Sequence, residues 1–158
     1  HQHKTNAVRI VEAAGIPYEM HEYEAPEGFL DGVSVAKALG QEPGSVFKTL
    51  VTVGQSREYY VCEIPVDKEL DLKAAKHFGE KKLEMLPSRL LTATTGYIKG
   101  GCSPVGMKKE FPTAIDASAE QLEKIAVSGG KVGLQMVLPV KALQEITGAC
   151  FVDLTVDK

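Results

Sequence analysis

Hydrophobic and polar positions along this chain repeat with two periods, and the changes between them mark out short elements. Ala7, Val8, Ile10, Val11 and Ala14 recur at helical spacing. Thr5 or Asn6 can cap that helix, and Gly15 followed by Pro17 ends it. Residues 18–23 alternate as a short strand, residues 24–32 read as a loop, and residues 34–39 read as a helix stopped by Gly40. Pro43-Gly44-Ser45 marks a turn. Residues 46–53 carry the strongest strand pattern, Gly54-Gln55-Ser56 a hairpin loop, and residues 58–64 the returning strand.

Past the hairpin the elements shorten. Asp71 caps a predicted helix through Phe78 that stops at Gly79. Residues 81–85 form a brief strand, and Pro87 opens a helix to about Thr94 at its favoured first position. Residues 96–106 form a loop dense in glycine. Strand patterns follow at residues 113–116, 124–127, 134–138 and 151–154. Ser118 caps a turn over residues 119–122, and Pro139 starts a helix to about Ile146, stopped by Gly148. A hairpin followed by strands alternating with short helices predicts a single α+β domain rather than a regular βαβ array.

Composition narrows the functional classes. The chain has 158 residues, 44% of them hydrophobic and 25% charged, enough for a packed core without disulfides. Its 18 Lys+Arg against 21 Asp+Glu give a net charge of −3, which excludes nucleic-acid binding by bulk charge alone. No apolar run approaches the roughly 18 residues that span a membrane. There is no signal-peptide pattern, so no membrane partner is expected. His1-Gln2-His3 reads as a tag remnant or trimmed start rather than a metal site, since no third ligand lies nearby. Three cysteines without a C-x-x-C pair point to a reducing, cytoplasmic setting. Cys62 and Cys150 read as small core residues, while Cys102 lies in the glycine loop.

Standard catalytic motifs fail on inspection. The segment Gly101–Lys108 approaches a P-loop, but Met107 separates Gly106 from Lys108 and Pro104 removes an amide. No G-x-G-x-x-G or G-x-S-x-G occurs, and His21 and His77 lack ligand spacing. Three features remain. Lys48 shares a strand face with Val46 and Leu50, either as an edge gatekeeper or as a desolvated functional cation. The loops at residues 96–106 and 128–131 can offer backbone amides to an oxyanion, or can simply turn the chain. Lys99, Lys108, Lys109 and Lys131 gather around those loops, a local positive bias inside an acidic chain. Tyr97 is the only aromatic in the two loops, too few for a base-stacking platform.

Taken in order, Phe47-Lys48-Thr49-Leu50, then Thr95-Gly96-Tyr97-x-x-Gly100-Gly101-x-Ser103-Pro104-x-Gly106-x-Lys108-Lys109, then Val127-Ser128-Gly129-Gly130-Lys131-x-Gly133 resemble the YbaK/EbsC group. These are free-standing relatives of the editing domain inserted in bacterial prolyl-tRNA synthetases. The likeness runs from about Lys4 to Leu154 and implies one domain over residues 4–158. It implies a barrel-like mixed β-sheet surrounded by short helices, and hydrolysis of mischarged Cys-tRNA(Pro) without a cofactor or metal. The Gly-Gly-x-Ser-Pro form and the Lys108-Lys109 pair favour that substrate. Ala-tRNA(Pro), a broader set of misacylated tRNAs, or a non-catalytic module binding tRNA or synthetase are the alternatives.

The resemblance also implies roles. Lys48 positions the ester or terminal nucleotide, with Thr49 beside it. Gly100 and Gly101 bring amides near the acyl carbonyl, and Ser103 and Pro104 belong to the same loop. Ser128, Gly129 and Gly130 form a second wall, and Tyr23 an aromatic or hydroxyl contact. Phe29 or Leu30 adds an apolar wall, and Asp31 receives no role. Lys99, Lys108, Lys109 and Lys131 face the acceptor end of the tRNA, with prolyl-tRNA synthetase as a candidate partner. With no general base in view, the substrate's own thiol is the expected nucleophile, not Cys102.

Overall fold

The computed structural model describes residues 4–28 and 30–157. Its centre is the antiparallel pair β2 (Phe47–Gly54) and β3 (Tyr59–Pro65), in register from Phe47 opposite Pro65 to Val53 opposite Tyr59. The turn closes where the Arg57 amide donates to the Gly54 carbonyl at 2.9 Å. The pair sits inside a five-stranded sheet with β5 (Leu83–Met85), β6 (Thr113–Asp116) and β9 (Cys150–Val152), in the order β5-β2-β3-β6-β9. β3, β6 and β9 run parallel, so each join needs a long crossover. The first crossover contains the glycine loop.

Both faces of this sheet are covered, which accounts for the nearly unbroken apolar run of β3. Tyr60, Cys62 and Ile64 pack on one face with Ala74, Ala75, Leu83 and Leu154. Phe47, Val51, Val61 and Ile115 pack on the other, the main core. That core is completed by α1 (Asn6–Ala13), β7 (Lys124–Ser128), β8 (Leu134–Pro139) and α4 (Val140–Thr147). Strands β7 and β8 join β1 (Glu19–Glu22) in a second sheet, ordered β1-β8-β7. A parallel bridge between Val46 and Ala126 ties that sheet to the start of β2. The two sheets thus meet at a corner. The single mixed α+β domain is as expected; among the described residues no sheet closes on itself, so barrel-like describes loosely the two larger sheets joined at one corner.

Local chemistry places the helices. Thr5 caps α1 by accepting the Val8 amide at 3.1 Å, and its hydroxyl donates to the Gly129 carbonyl at 2.5 Å. Losing such a cap costs about 1 kcal/mol. α2 (Gly32–Ala38) starts two residues earlier than its periodicity predicts, because Asp31 accepts the Ser34 amide at 2.9 Å. Residues 72–78 form a 3-10 helix rather than an α-helix. Pro87 and Pro139 stand just before their helices, not inside them.

Other expectations are corrected. Asp116, not Ser118, caps the turn that follows β6: one carboxyl oxygen accepts the Ser118 amide at 3.2 Å and the other the Leu154 amide at 2.9 Å. Cys150 is exposed rather than in the core, because it opens β9 at the edge of the sheet. Two short strands, β4 (Lys68–Leu70) and β10 (Thr155–Asp157), have no periodic signature and are held by pairing with each other. His1 and His3 lie outside the described residues.

Candidate functional site

A cavity of about 360 Å³ opens at the corner between the two sheets. That lies within the range of roughly 300–1,000 Å³ for small-ligand sites. Four parts of the chain build it. β2 contributes Phe47 through Leu50, the start of α2 contributes Gly32 and Val33, the glycine loop contributes Gly100 and Cys102, and the end of β7 contributes Ser128. Tyr23, just past β1, completes the rim.

Lys48 is a half-buried cation on this wall, flanked by the aliphatic Val46 and Leu50, which also line the cavity. In such surroundings a charge acts on ligand oxygens more strongly than in water. At Lys48 the strand pairs with β3 on one side, while β5 flanks only Thr52–Gly54; Lys48 itself lines the cavity, the setting of the functional-cation alternative.

The glycine loop is tied down by its own polar groups. Tyr97 is buried and donates to the Val105 carbonyl at 2.6 Å. Thr95 accepts the Tyr97 amide at 3.1 Å, and Ser103 accepts the Val105 amide at 3.2 Å. Gly101 lies against the second loop so closely that a Cβ would come 2.8 Å from the Lys131 and Val132 backbone. This contact locks the two glycine-rich loops together. Gly100, with φ of 84°, then turns onto the cavity wall.

Several residues singled out in sequence thus converge: Tyr23, Lys48, Thr49, Gly100 and Ser128 line one cavity, with Leu30 beside them. Phe29 lies outside the described residues. Gly101, Ser103, Gly129 and Gly130 stand behind the wall. Ser103 is fully buried, and the Ser128 hydroxyl accepts the Gly130 amide at 3.1 Å. Pro104 lines a different cavity of about 170 Å³, together with Lys109. Lys99 and Lys131 are exposed where the two loops touch. Lys108 is exposed too, its amine donating to the Ala93 carbonyl at 3.3 Å.

Burial pushes the Cys102 thiol up to about 12, with the nearby Glu63 carboxyl adding to the effect. A thiol so placed is not a ready nucleophile. Among the described residues, no group of three or more His, Cys, Asp or Glu side chains is placed to share a metal ion.

Some wall residues escaped the sequence reading. Gln135 is buried on β8 and exchanges two amide hydrogen bonds with Gln41, at 2.7 and 2.8 Å. A polar residue inside the apolar run of residues 134–138 was the available signal. Val66 and the first turn of α2 gave none, because they reach the cavity only through tertiary packing.

Comparisons with known proteins place the chain by family and by fold. The family model described as an aminoacyl-tRNA editing domain matches residues 31–146. EbsC of Enterococcus faecalis, a proposed Cys-tRNA(Pro)/Cys-tRNA(Cys) deacylase, is 50% identical over 98% of this chain and 94% of its own. The crystal structure of a proposed trans-editing enzyme for prolyl-tRNA synthetase superposes with a TM-score of 0.83. It is 26% identical and covers 98% of this chain and 99% of its own. The hypothetical protein APE2540, 22% identical, shares the fold with a TM-score of 0.86 over 96% of this chain and 99% of its own. With its cavity, two locked glycine loops and a matched region that covers most of its length, the chain belongs to the aminoacyl-tRNA editing domain family.

Proposed function

We propose that the protein is a trans-editing deacylase that hydrolyses mischarged Cys-tRNA(Pro). The observation that carries this reading is the convergence of Lys48, Thr49, Gly100 and Ser128 on one cavity. Lys48 holds an oxygen of the ester or of the terminal nucleotide. The backbone of the glycine loop faces the acyl carbonyl, where an amide donor stabilises the oxyanion. Tyr23 and Ser128, both on the cavity lining, contact the aminoacyl group.

The chemistry then comes from the substrate. The cysteine thiol sulfur bonds to its own ester carbonyl carbon, and the bond from that carbon to the ribose oxygen breaks. The thiol proton ends on the ribose hydroxyl, and water opens the resulting thiolactone to free cysteine. Holding the thiol near the carbonyl supplies most of the rate, because the step is intramolecular. Selectivity for cysteine follows from reactivity, where a pocket alone separates a methylene by only about 1–3 kcal/mol. Lys99 and Lys131, exposed where the loops meet, suit contact with the acceptor end, and the modest net charge calls for salt-sensitive, transient binding. Prolyl-tRNA synthetase is the candidate partner, and three free cysteines suit the cytoplasm.

The test is hydrolysis of Cys-tRNA(Pro), Cys-tRNA(Cys), Ala-tRNA(Pro) and Pro-tRNA(Pro) by purified protein, with and without the synthetase. Preferential release of cysteine supports the reading. Preferential release of alanine would move it to the alternative substrate, and no release would make it a binding module. Lys48→Ala is expected to lower kcat/KM for Cys-tRNA(Pro) at least 100-fold while leaving the fold intact. Full activity in that variant would remove Lys48 from the site.

A further inference from the structure

Glu63 has no part in the reaction just described, yet its position is unusual. It is fully buried on β3, and neither carboxyl oxygen makes a hydrogen bond among the described residues. Directly across the strand pair stands Thr49, whose hydroxyl oxygen is also buried and without a hydrogen bond. Thr49 and Cys102 line the cavity; Glu63 does not. The carboxyl therefore sits one side chain behind the wall.

Cys102 from the glycine loop and Cys62 from β3 are the titratable groups whose thiols feel it, and from β6 its pairing partner is Ile115. Burial holds the Glu63 carboxyl well above the usual carboxylate range, with only the Thr49 hydroxyl pulling the other way. Burial thus favours the protonated form of this carboxyl.

We propose that Glu63 is a positioning residue: from behind the cavity wall it fixes the direction in which the Thr49 hydroxyl points. A carboxylic acid donates as well as accepts. Residues paired across two strands have Cβ atoms about 4.5–5.5 Å apart, within reach of side-chain rotation. Glu63 donates its proton to the Thr49 oxygen, and the Thr49 hydroxyl is left to donate into the cavity. An ionised Glu63 would do the opposite, drawing the Thr49 proton backward and presenting lone pairs to the ligand. An acyl oxygen that gains negative charge needs a donor. The buried acid thus keeps Thr49 a donor toward the ester. This assignment rests on the deacylase reading above.

Two readouts test it. In infrared spectra at pH 7, the wild type should show a protonated-carboxyl band that is absent in Glu63→Gln and displaced in Thr49→Val. In Cys-tRNA(Pro) hydrolysis, Glu63→Met should lower kcat/KM about tenfold, and Glu63→Gln, whose amide still donates, should recover most of it. The double variant Glu63→Met with Thr49→Val should be no slower than Thr49→Val alone, since both changes remove one device. Full activity in Glu63→Met, losses that multiply in the double variant, or a carboxyl band that Thr49→Val leaves in place would overturn the proposal. If the wild type hydrolyses no tRNA ester, the deacylase reading fails. The response of the infrared band to Thr49→Val then decides separately whether the two side chains are coupled.

Discussion

Two glutamates, Glu63 and Glu80, attach to the same hairpin and live in opposite conditions. Glu80 lies under the β2–β3 turn, 9% exposed, and is saturated with donors. The Ser56 amide reaches it at 3.2 Å, the Tyr60 hydroxyl at 2.7 Å, and the Ser56 hydroxyl also donates to it. Those donors, Ser56 first and then Tyr60, hold its carboxyl below the usual range. Glu63, near the other end of β3, has no side-chain hydrogen bond among the described residues and is held above that range by burial. A satisfied buried carboxylate fixes a turn. An unsatisfied one beside a cavity weakens the fold, and the site is where its presence is explained.

The contrast makes stability and activity separable. The largest expected effect is on the Glu80 side. Glu80→Ala strips three donors of their acceptor, and the melting temperature should fall by about 4–8 °C, as for the loss of charged hydrogen bonds in a chain of this size. Deacylation measured well below that temperature should stay within about twofold of wild type. A large loss of activity without loss of stability would break the comparison. Glu63→Met should do the reverse. Its activity falls about tenfold, while stability at pH 7 is unchanged or rises by about 1 kcal/mol, because an apolar side chain replaces an unpaired acid. Urea unfolding checks it, and strong destabilisation would show Glu63 to be an ordinary structural group.

Dependence on pH should then show opposite signs at the two sites. The folded-state pKa of Glu80 is depressed, so its contribution is present above the unfolded-state carboxylate pKa of about 4.3 and is lost as pH falls through the folded value. The folded-state pKa of Glu63 is raised, so its favourable contribution is complete below about pH 4.3 and is lost as pH rises toward the folded value. In that upper window the fold keeps a proton the unfolded chain has released, a slope of about 1.4 kcal/mol per pH unit. Urea midpoints from pH 5 to pH 8 should therefore decline less steeply in Glu63→Met than in the wild type. In Glu80→Ala the difference from wild type should shrink on acidification. Equal slopes in wild type and Glu63→Met would mean that Glu63 is not protonated in the fold.

The same pair shows what a sequence can disclose. The hairpin was legible because a sheet buried on both faces writes a continuous apolar run, as in Tyr59–Pro65. Glu63 interrupts that run, a signal the sequence reading did not use, and strand periodicity does not say that its neighbour across the ladder is Thr49. That depends on register. Lys48 posed the same difficulty, with two readings open until the corner between the sheets put it on a cavity wall. The glycine loops were recognisable from their residues, yet only the close contact of Gly101 with Lys131 explains why both are needed. Cys150 misled because apolar neighbours in sequence do not reveal an edge strand, and Asp116 because a cap shared with Leu154 is a long-range arrangement.

The smallest expected effect concerns Cys102, which lies close enough to Glu63 for the carboxyl to raise the pKa of its thiol. A neutral acid and a neutral thiol behind one wall are a consistent pair, because burial disfavours the charged form of each. Cys102→Ala should change kcat/KM for Cys-tRNA(Pro) by less than about threefold. Iodoacetamide at pH 7.5 should label the exposed Cys150 first, with Cys102 and Cys62 protected because burial holds both thiols near 12. In Glu63→Gln a neutral amide replaces a neutral acid, so Cys102 labelling at this pH should stay slower than that of Cys150. Rapid labelling of Cys102 in the wild type, joined to abolished hydrolysis in Cys102→Ala with the fold preserved, would make the protein thiol the nucleophile. Glu63 would then have to be understood as a partner of Cys102 rather than of Thr49.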